Sequence, residues 1–536
     1  MPHPCLPGLS RLFPLVSAGQ LPAFRSPKAS PGLRMTVPPE TALSPSVTAL
    51  PWQPPQAYLG LLSRRQGASE AGRALPSTGP VFLDSGSFDK ATAESRDRQR
   101  WSLLCPRPEA ALVLPRLKPG GQDGLEPLRR FAQAHRPPRP VPTSPDLPFT
   151  GGIIGVLSYG AGLALQDVSS RHAAQDDWPH LLALVCTSFL LFDHAREKLW
   201  WISPEQHPAP APRPLTAAFP PLENWQPDFT EHGWGEAVEE TRRLIGAGDI
   251  FQANLTMRWH GGFQQADGTH ADLAALYARL RQGSPAPFGA YLDFGTHQLM
   301  SASVERFLSL SPNGTIETRP IKGTSAVSDD PITDAALRDA LAQDAKELAE
   351  NLMITDLMRN DIGRVSRPGS VSVPQLARPE RFARVHHLVS SVTGKLAEGE
   401  DAFSLLEATM PPGSVTGAPK KRALEVIDAL ERSPRGAYCG TLFRLGWDGA
   451  LDSSVLIRTV TGTQEEAPAQ GCDPSAKPSG ATCRFALGAG GGITWPSEAQ
   501  AEYRETCLKA APLLQALRAA PNPEDPASRH PQRQAQ

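Results

Sequence analysis

No stretch of this 536-residue chain is apolar for the ~18 residues that a membrane span requires. The nearest candidate, LLALVCTSFLLF (181–192), is too short, and with the following DHAREK and LWWIS it reads as a buried hairpin. There is no excess charge of either sign. The formal net charge is −2, so no basic field points to nucleic acid or to a membrane surface. There is no CxxC pair either. Seven cysteines are scattered at 5, 105, 186, 439, 472, 483 and 507, an odd number without pattern. That argues against a disulfide framework or a zinc site and for a reducing, cytoplasmic setting. The chain has no internal repeat and no GxGxxG opening a helix after a strand, which argues against a dinucleotide fold.

What is present fits a globular chain: 40% hydrophobic and 20% charged residues over a length that suggests two lobes or one composite fold. The 56 prolines gather in the tails and in connecting stretches. Residues 1–50 read as a disordered extension or leader. Residues 1–34 carry Arg11, Arg25, Lys28 and Arg34 but no Asp or Glu. This fits a transit-like leader, or an upstream extension with Met35 as the start. Residues 51–230 form a strand-rich N-terminal region, with VFLDSG (81–86), ALVLPRL (111–117) and GGIIGVLSYG (151–160). A proline-rich connector (204–221) leads into a region over 232–518 that holds the sharper motifs. Within it, 462–483 reads as a long hairpin loop. The tail 519–536 reads as disordered.

In the second region, Val238, Thr241, Leu244 and Ile245 make a helical stripe that Gly246 and Gly248 can end. IFQANLTMRW (250–259) then alternates strictly. Phe251, Ala253, Leu255, Met257 and Trp259 face one way and Gln252, Asn254, Thr256 and Arg258 the other. That pattern predicts a half-buried strand whose polar side faces either solvent or a polar cleft. VERFLSLSPNGTIETRPIKGT (304–324) predicts a hairpin about Asn313-Gly314. A two-residue loop pairs 312 with 315 and sets Glu305 opposite Lys322. Two readings stay open: a cross-strand ion pair, or a carboxylic acid beside an amine nucleophile.

DAALRDALAQDAKELAENLMITDLMRND (334–361) predicts one long helix. Its apolar stripe is Leu337, Leu341, Leu348 and Leu352, with Glu350 pointing away. SEAQAEYRETCLKAA (497–511) predicts another helix, with Ser497 and Gln500 as a capping box. On it Glu502, Glu505 and Lys509 share one face. Carboxylates on two helices are equally at home in solvent or around a Mg²⁺ ion. RFALGAGGGITW (484–495) sets a glycine run after a strand, able to offer N–H groups to an anion. GSVTGAPKKRALEVIDAL (413–430) adds a glycine-rich turn before a helix.

These pieces, in this order, resemble the chorismate-utilising enzymes. The resemblance rests on DIFQANL, SVERF, RPIKGT, AENLMITDLMRNDIGRV, VHHLVSSVTG, PPGSVTGAPKKRALEVID, IRT, GAGGGIT and AEYRETCLKA, and spans 235–511. FLDSG and FTGGIIGVLSYG extend it, more weakly, into the N-terminal region. It implies an α+β fold of two large packed antiparallel sheets flanked by helices. It also implies an active cleft beside the glycine run.

Gln252 stands where isochorismate-forming members carry a water-activating lysine, which speaks against water as nucleophile. PIKGT is similar to the aminodeoxychorismate-forming members, whereas anthranilate-forming ones read PIAGT. The resemblance then implies Lys322 as nucleophile, Glu305 as acid, and Glu350 and Glu505 as Mg²⁺ ligands with Glu502 close by. For the substrate it implies His387, Thr416, Gly417, Arg458, Lys509, Gln252 and the run Gly488, Gly490, Gly491 and Gly492. It further implies a glutamine amidotransferase partner supplying ammonia, no glutaminase segment being legible. A tryptophan ligand near FLDSG, at Ser85, is a further implication. The 462–483 insertion departs from the family pattern and is expected away from the cleft.

Overall fold

The structure, a computed structural model, describes residues 46–63, 79–86, 96–118, 120, 124–137, 147–204, 207–216, 219–222, 224–264, 272–382, 385–464 and 482–518. The leader with its candidate start Met35, the core of the 462–483 insertion and the tail from 519 lie outside these residues. All described residues belong to one compact unit, 42–536.

Two antiparallel sheets make the frame. In the first, the order is β1 (Ser46–Leu50), β8 (Lys198–Ser203), β7 (Phe189–Asp193), β3 (Trp101–Cys105), β2 (Val81–Asp84), β11 (Phe288–Asp293), β12 (His297–Ser303), β21 (Thr459–Gln464), β22 (Thr482–Ile493), β10 (Gln252–Gln264) and β18 (Gly417–Ala418), with β9 (Gln226–Pro227) beside β10. In the second, the order is β15 (Ile321–Ala326), β17 (Val385–Lys395), β14 (Thr315–Thr318), β13 (Arg306–Leu310), β20 (Leu451–Val455), β19 (Thr441–Gly446), β5 (Gly152–Leu157), β6 (Leu181–Cys186) and β4 (Ala110–Leu114), with β16 (Ser372–Arg381) on the other edge of β17. Side chains from both sheets meet in one core, Val81, Leu103 and Leu191 of the first against Ile154, Val156 and Leu184 of the second. The expected α+β architecture is therefore observed. Both sheets mix strands from before and after residue 231, so the two regions read from the sequence are built into the same layers.

Nine helices accompany the sheets among the described residues: α1 (Glu126–His135), α2 (Tyr159–Leu165), α3 (Glu231–Gly246), α4 (Leu273–Gly283), α5 (Pro331–Gln343), α6 (Ala345–Gly363), α7 (Ala402–Thr409), α8 (Lys420–Leu430) and α9 (Ala499–Arg518). No described helix is long and apolar enough to cross a membrane. The described cysteines are all free, four of the five buried.

Five local expectations change. Ser46–Leu50 is a strand rather than part of a disordered extension. It pairs with β8, whose outer edge would otherwise be open. The 181–202 segment is not one hairpin. β6 joins the second sheet, and only β7 and β8 pair with each other, in the first. The predicted helix 334–361 breaks at Asp344, whose carboxylate accepts the N–H groups of Lys346 and Glu347 at 2.9 and 3.1 Å and so starts a new helix. The break turns this second helix to present another face. Leu352 is exposed, and α6 buries Asn351, Ile354, Thr355, Met358 and Ile362 instead.

The hairpin about Asn313-Gly314 also differs. A two-residue loop needs an N–H on residue 312, which is a proline. Ser311 N–H bonds the Thr315 carbonyl at 2.9 Å instead, and the register becomes Ser309 with Glu317. β15 does not continue against β13 at all. β14 and β15 lie end to end along one edge of β17, so the cross-strand pairing of Glu305 with Lys322 is lost. Last, Ser497 does not form a capping box with Gln500. Its hydroxyl donates to Glu502 Oε1 at 2.7 Å and accepts Thr494 N–H at 3.0 Å.

Candidate active site

Lys322 sits on β15 opposite Leu388 of β17, and a bulge comes directly after it. Gly323 holds the bulge with φ +81°, in the left-handed region where a side chain is strained. Space is short there as well. A Cβ on Gly323 would meet Leu388 Cδ1 at 3.1 Å and Glu347 Oε2 at 3.2 Å. The glycine thus lets α6 close over the strand beside the lysine. The bulge advances the chain so that Thr324, not Gly323, faces His387. His387 Nδ1 lies 3.2 Å from the Gly323 carbonyl and 2.9 Å from Thr324 Oγ1. A carbonyl can only accept, so Nδ1 carries the hydrogen and Nε2 is left as an acceptor. Burial, with the positive charge of Arg458 nearby, pushes the imidazole pKa down to about 4, so His387 is neutral.

Although the strand register separates them, tertiary packing brings Glu305 and Lys322 back together, each within electrostatic reach of the other. Glu305 lies between β12 and β13, 7% exposed, with its carbonyl bonded to Val455 N–H at 3.1 Å. Burial pushes its carboxyl up to about 7, against the lowering pull of the Ser414 hydroxyl and of Lys322. A carboxyl at that value holds its proton near neutrality and can still release it. Lys322 keeps part of its surface open, and among the described residues its Nζ makes one long bond, 3.3 Å to the Ser414 carbonyl. Burial lowers its pKa and Lys509 adds to that, while Glu350, Glu305 and Glu347 work the other way. The lysine is therefore nearer its nucleophilic form than a surface lysine.

Helices α6 and α9 supply a wall of acids. Glu347, Glu350 and Glu502 all have raised carboxyl pKa values: burial is the main cause and neighbouring acids add to it, against the pull of Lys346, Lys322 and the Ser497 hydroxyl. Burial also raises Glu505, but Lys509, Lys346 and Lys322 outweigh it and leave Glu505 lowered. Lys509 Nζ reaches Glu505 at 2.8 Å and the Gly490 carbonyl at 3.0 Å. Among the described residues no three acidic, imidazole or thiol groups converge into a ready metal cage. The donor set itself, carboxylate oxygens from two helices that repel one another, is the kind a hard divalent cation prefers.

The glycine run lies on β22 against β10, from Gly488 opposite Arg258 to Gly492 opposite Asn254. Its missing side chains are filled by protein. A Cβ on Gly488 would fall 2.4 Å from the Tyr438 ring, one on Gly490 2.0 Å from the Leu255 carbonyl, and one on Gly492 2.4 Å from Gln252 Nε2. Gly491 points the other way, toward Glu502 Oε2 at 3.3 Å and Lys509 Nζ at 3.6 Å. β21 stops pairing at Leu487, so beyond it one edge of the run has no strand partner among the described residues.

The polar side of β10 is buried rather than solvent-facing, while Phe251, grouped with the apolar side, is 71% exposed. Gln252 is fully buried, and both atoms of its amide lack a partner among the described residues. Thr256 and Arg258 instead bond Glu431, at 2.8 and 2.9 Å. Thr416 and Gly417 cross the start of β10: the Thr416 carbonyl accepts Asn254 N–H at 2.6 Å, and a Cβ on Gly417 would collide with the Gln252 carbonyl at 2.1 Å. Arg458 adopts φ +50°, an uncommon conformation for a non-glycine residue. Burial lowers its pKa, and its guanidinium has no ion-pair or hydrogen-bond partner among the described residues.

Lys322, Glu305, Glu350, Glu502, Glu505 and Lys509 thus form one electrostatically linked group, with His387 and Arg458 as a second pair. Sequence reasoning missed Glu347 and Ser414. Glu347 stands three residues before Glu350, a spacing that shares a helix face, and Ser414 lies inside the GSVTG turn. At FLDSG, Ser85 Oγ lies 3.1 Å from Ser102 Oγ, and the Asp84 carboxylate takes Arg281 at 2.5 Å and Tyr277 at 3.2 Å. A cavity of about 250 Å³ borders this segment through Asp84 and Ser102, with Arg98, Arg306 and Arg444 in its lining.

The chain belongs to the chorismate binding enzyme family, which matches residues 89–515. It is 35% identical to aminodeoxychorismate synthase component 1 of Salmonella typhimurium, over 89% of this chain and 99% of that one. It is 34% identical to anthranilate synthase component 1 of Streptomyces coelicolor, over 75% of this chain and 79% of that one. Among solved structures it is similar to anthranilate synthase component I from Streptococcus pneumoniae, with TM-score 0.62, 30% identity and coverage of 77% of this chain and 92% of that one. The menaquinone-specific isochorismate synthase of Escherichia coli shares the fold, with TM-score 0.61 and 17% identity over 89% of this chain and 95% of that one.

Proposed function

We propose that this member of the chorismate binding family is an aminodeoxychorismate synthase component I. It would convert chorismate and ammonia to 4-amino-4-deoxychorismate, for 4-aminobenzoate and folate synthesis, through a covalent adduct on Lys322. The observation that carries this reading is Lys322 itself: partly withdrawn from water, its pKa lowered by burial, and close to a carboxyl whose pKa burial raises to about 7.

In this reading the substrate carboxylates bind to Arg458, to Lys509 and to the free edge of the glycine run, Arg458 through its planar fork. Glu305 gives its proton to the C4 oxygen, which leaves as water. The Lys322 lone pair forms a C–N bond at C2 as both ring double bonds move one place around the ring, away from C2 and toward C4, where the C–O bond breaks. Ammonia then bonds C4, both double bonds shift back, and the C2–N bond breaks with its electron pair returning to Lys322. Glu305 recovers its proton from the incoming nitrogen. Two easier displacements replace one hard one. His387 contacts the C4 region through its acceptor nitrogen, Thr416 and Gly417 border the ring, and Gln252 offers its unpaired amide. Glu350 and Glu505, with Glu502 close by, would hold Mg²⁺. When bound, the ion supplies Lewis-acid polarisation of the ring carboxylate.

Ammonia would come from a glutamine amidotransferase partner, in keeping with the "component 1" in the relatives' names. Tryptophan is proposed as a ligand of the cavity beside FLDSG, near Ser85. The second reading is anthranilate synthase component I, supported by the relatives that carry that name. It would leave Lys322 idle.

The test is to incubate the protein with chorismate, Mg²⁺ and an ammonium salt at mildly alkaline pH and to separate the products. Material that an added lyase converts to 4-aminobenzoate is expected. Anthranilate would establish the second reading. No product, with an amidotransferase partner also present, would leave a silent subunit.

A further inference from the structure

A second cavity, of about 300 Å³, lies away from Lys322, between α2, the end of α8 and the 168–180 segment. Nothing in the proposed reaction uses it. Leu117, Leu163, Val168 and Ile427 give it apolar walls, and Tyr159 and Arg435 close one side. The cations around it are already committed. Arg116 donates to the carbonyls of Pro115, Trp178, Ala173 and Asp176. Arg435 is spent on Glu431 and on the carbonyls of Val415 and Asn254. His180 Nδ1 accepts Leu117 N–H at 2.9 Å, and burial pushes its pKa down to about 4, so it stays neutral.

What remains is acidic or unpartnered. Among the described residues the Asp176 carboxylate accepts one backbone N–H, from Trp178 at 3.1 Å, and bonds no side-chain cation, although the Arg116 charge, spent on backbone carbonyls, acts on it from nearby. Burial pushes its pKa up to about 6, as expected of a carboxylate short of partners. The Tyr159 hydroxyl is enclosed and has no partner among the described residues. Asp176 Oδ2 and His180 Nε2 open onto the same point, 3.3 and 3.0 Å from where a Cβ on Gly160 would sit.

We propose that this cavity binds a small molecule with an apolar body and an ammonium head group, the head bonded to Asp176, and that its occupancy acts on the chorismate site. The link is short. The Arg435 guanidinium lies 4.3 Å over the Tyr159 ring and donates to the Val415 carbonyl at 2.8 Å and the Asn254 carbonyl at 2.6 Å. Asn254 N–H in turn holds the Thr416 carbonyl. A ligand against Tyr159 therefore bears on the 413–417 turn. This second half rests on the proposed role of that turn; the binding half does not.

Calorimetric titration of the full chain with benzylammonium chloride, against benzyl alcohol as the uncharged control, tests it. Saturable binding of the amine alone is expected, weakened about tenfold or more by Asp176→Asn and by Ala173→Trp, a change at an exposed residue of the rim. No saturable binding, equal binding of the alcohol, or undiminished binding in both variants would overturn the site. By linkage, the amine should also shift chorismate affinity. An unchanged affinity with the cavity filled would overturn the transmission. Failure to bind chorismate even without the amine would count against the proposed function, not against the cavity.

Discussion

Two lysines in this fold lose water to burial, Lys420 almost wholly and Lys322 in part, and they end differently. Lys420, at the start of α8, donates to Asp361 at 2.5 Å and to the carbonyls of Thr409 and Pro411 at 2.7 and 3.0 Å. An ammonium has three hydrogens, so nothing is left over. Lys322 has one bond among the described residues, at 3.3 Å. Burial lowers the pKa of both. Burial alone therefore does not mark a candidate nucleophile; an amine with few partners beside a carboxyl raised to about 7 fits the proposed role better. Lys420 ties the 409–411 turn to α6, whereas Lys322 is held in reserve.

The contrast breaks most directly at Lys322→Ala. Amination should fall by roughly 10³-fold or more, and the chorismate adduct should vanish from the intact-protein mass spectrum. An adduct of unchanged amount would end the nucleophile assignment. Lys420→Met should act on stability instead, by about 3–5 kcal/mol, since it strands Asp361. Urea unfolding measures that, and the adduct should still form under native conditions.

Glu305→Gln should lower turnover about 10²–10³-fold. It also sharpens the role of the acid through pH. The Glu305 carboxyl, raised to about 7, is protonated below that value and ionised above it, so an acid-dependent step weakens as pH rises past about 7. Lys322 gains its free amine in the same direction, giving a bell whose alkaline limb the glutamine should abolish. The stability sign comes from linkage. The native state holds a proton that the unfolded chain releases earlier, so ionising Glu305 costs stability as pH rises toward 7, and the glutamine should remove that dependence.

Arg458→Lys should be milder. It keeps the charge but loses the fork, and should raise KM for chorismate about tenfold with kcat little changed. The smallest effect is expected from Ser414→Ala, a change of about twofold to fivefold in turnover, within the range of one neutral hydrogen bond. The carbonyl that Lys322 uses would remain. Only the hydroxyl that lowers Glu305 would go, so the alkaline limb should move upward.

Much of the site was legible because its chemistry sits in short local patterns. PIKGT put a glycine after the lysine, and Gly323 does take the positive φ that the bulge needs. Alternation marked β10 as a strand. What alternation could not say is what covers its polar side, and that side is filled by Glu431 and Arg435, far along the chain. The register across Asn313-Gly314 misled because the turn signal was weighed without Pro312. The stripe on 334–361 misled because Asp344 can cap as well as continue a helix.

The sequence by itself determined the strand of β10, the helical character of α3, α6 and α9, the glycine at the bulge, the acids spaced along α6 and α9, and the lysine between them. These come from periodicity, backbone freedom and residue chemistry, all local properties. Only the tertiary structure decided that Glu305 meets Lys322, that Glu347 and Ser414 join them, and that Lys420 is locked by three bonds while Lys322 is held by a single long one among the described residues. Those outcomes depend on which distant groups remove water and which return a partner. Desolvation is a property of the packed whole, and no window of sequence carries it.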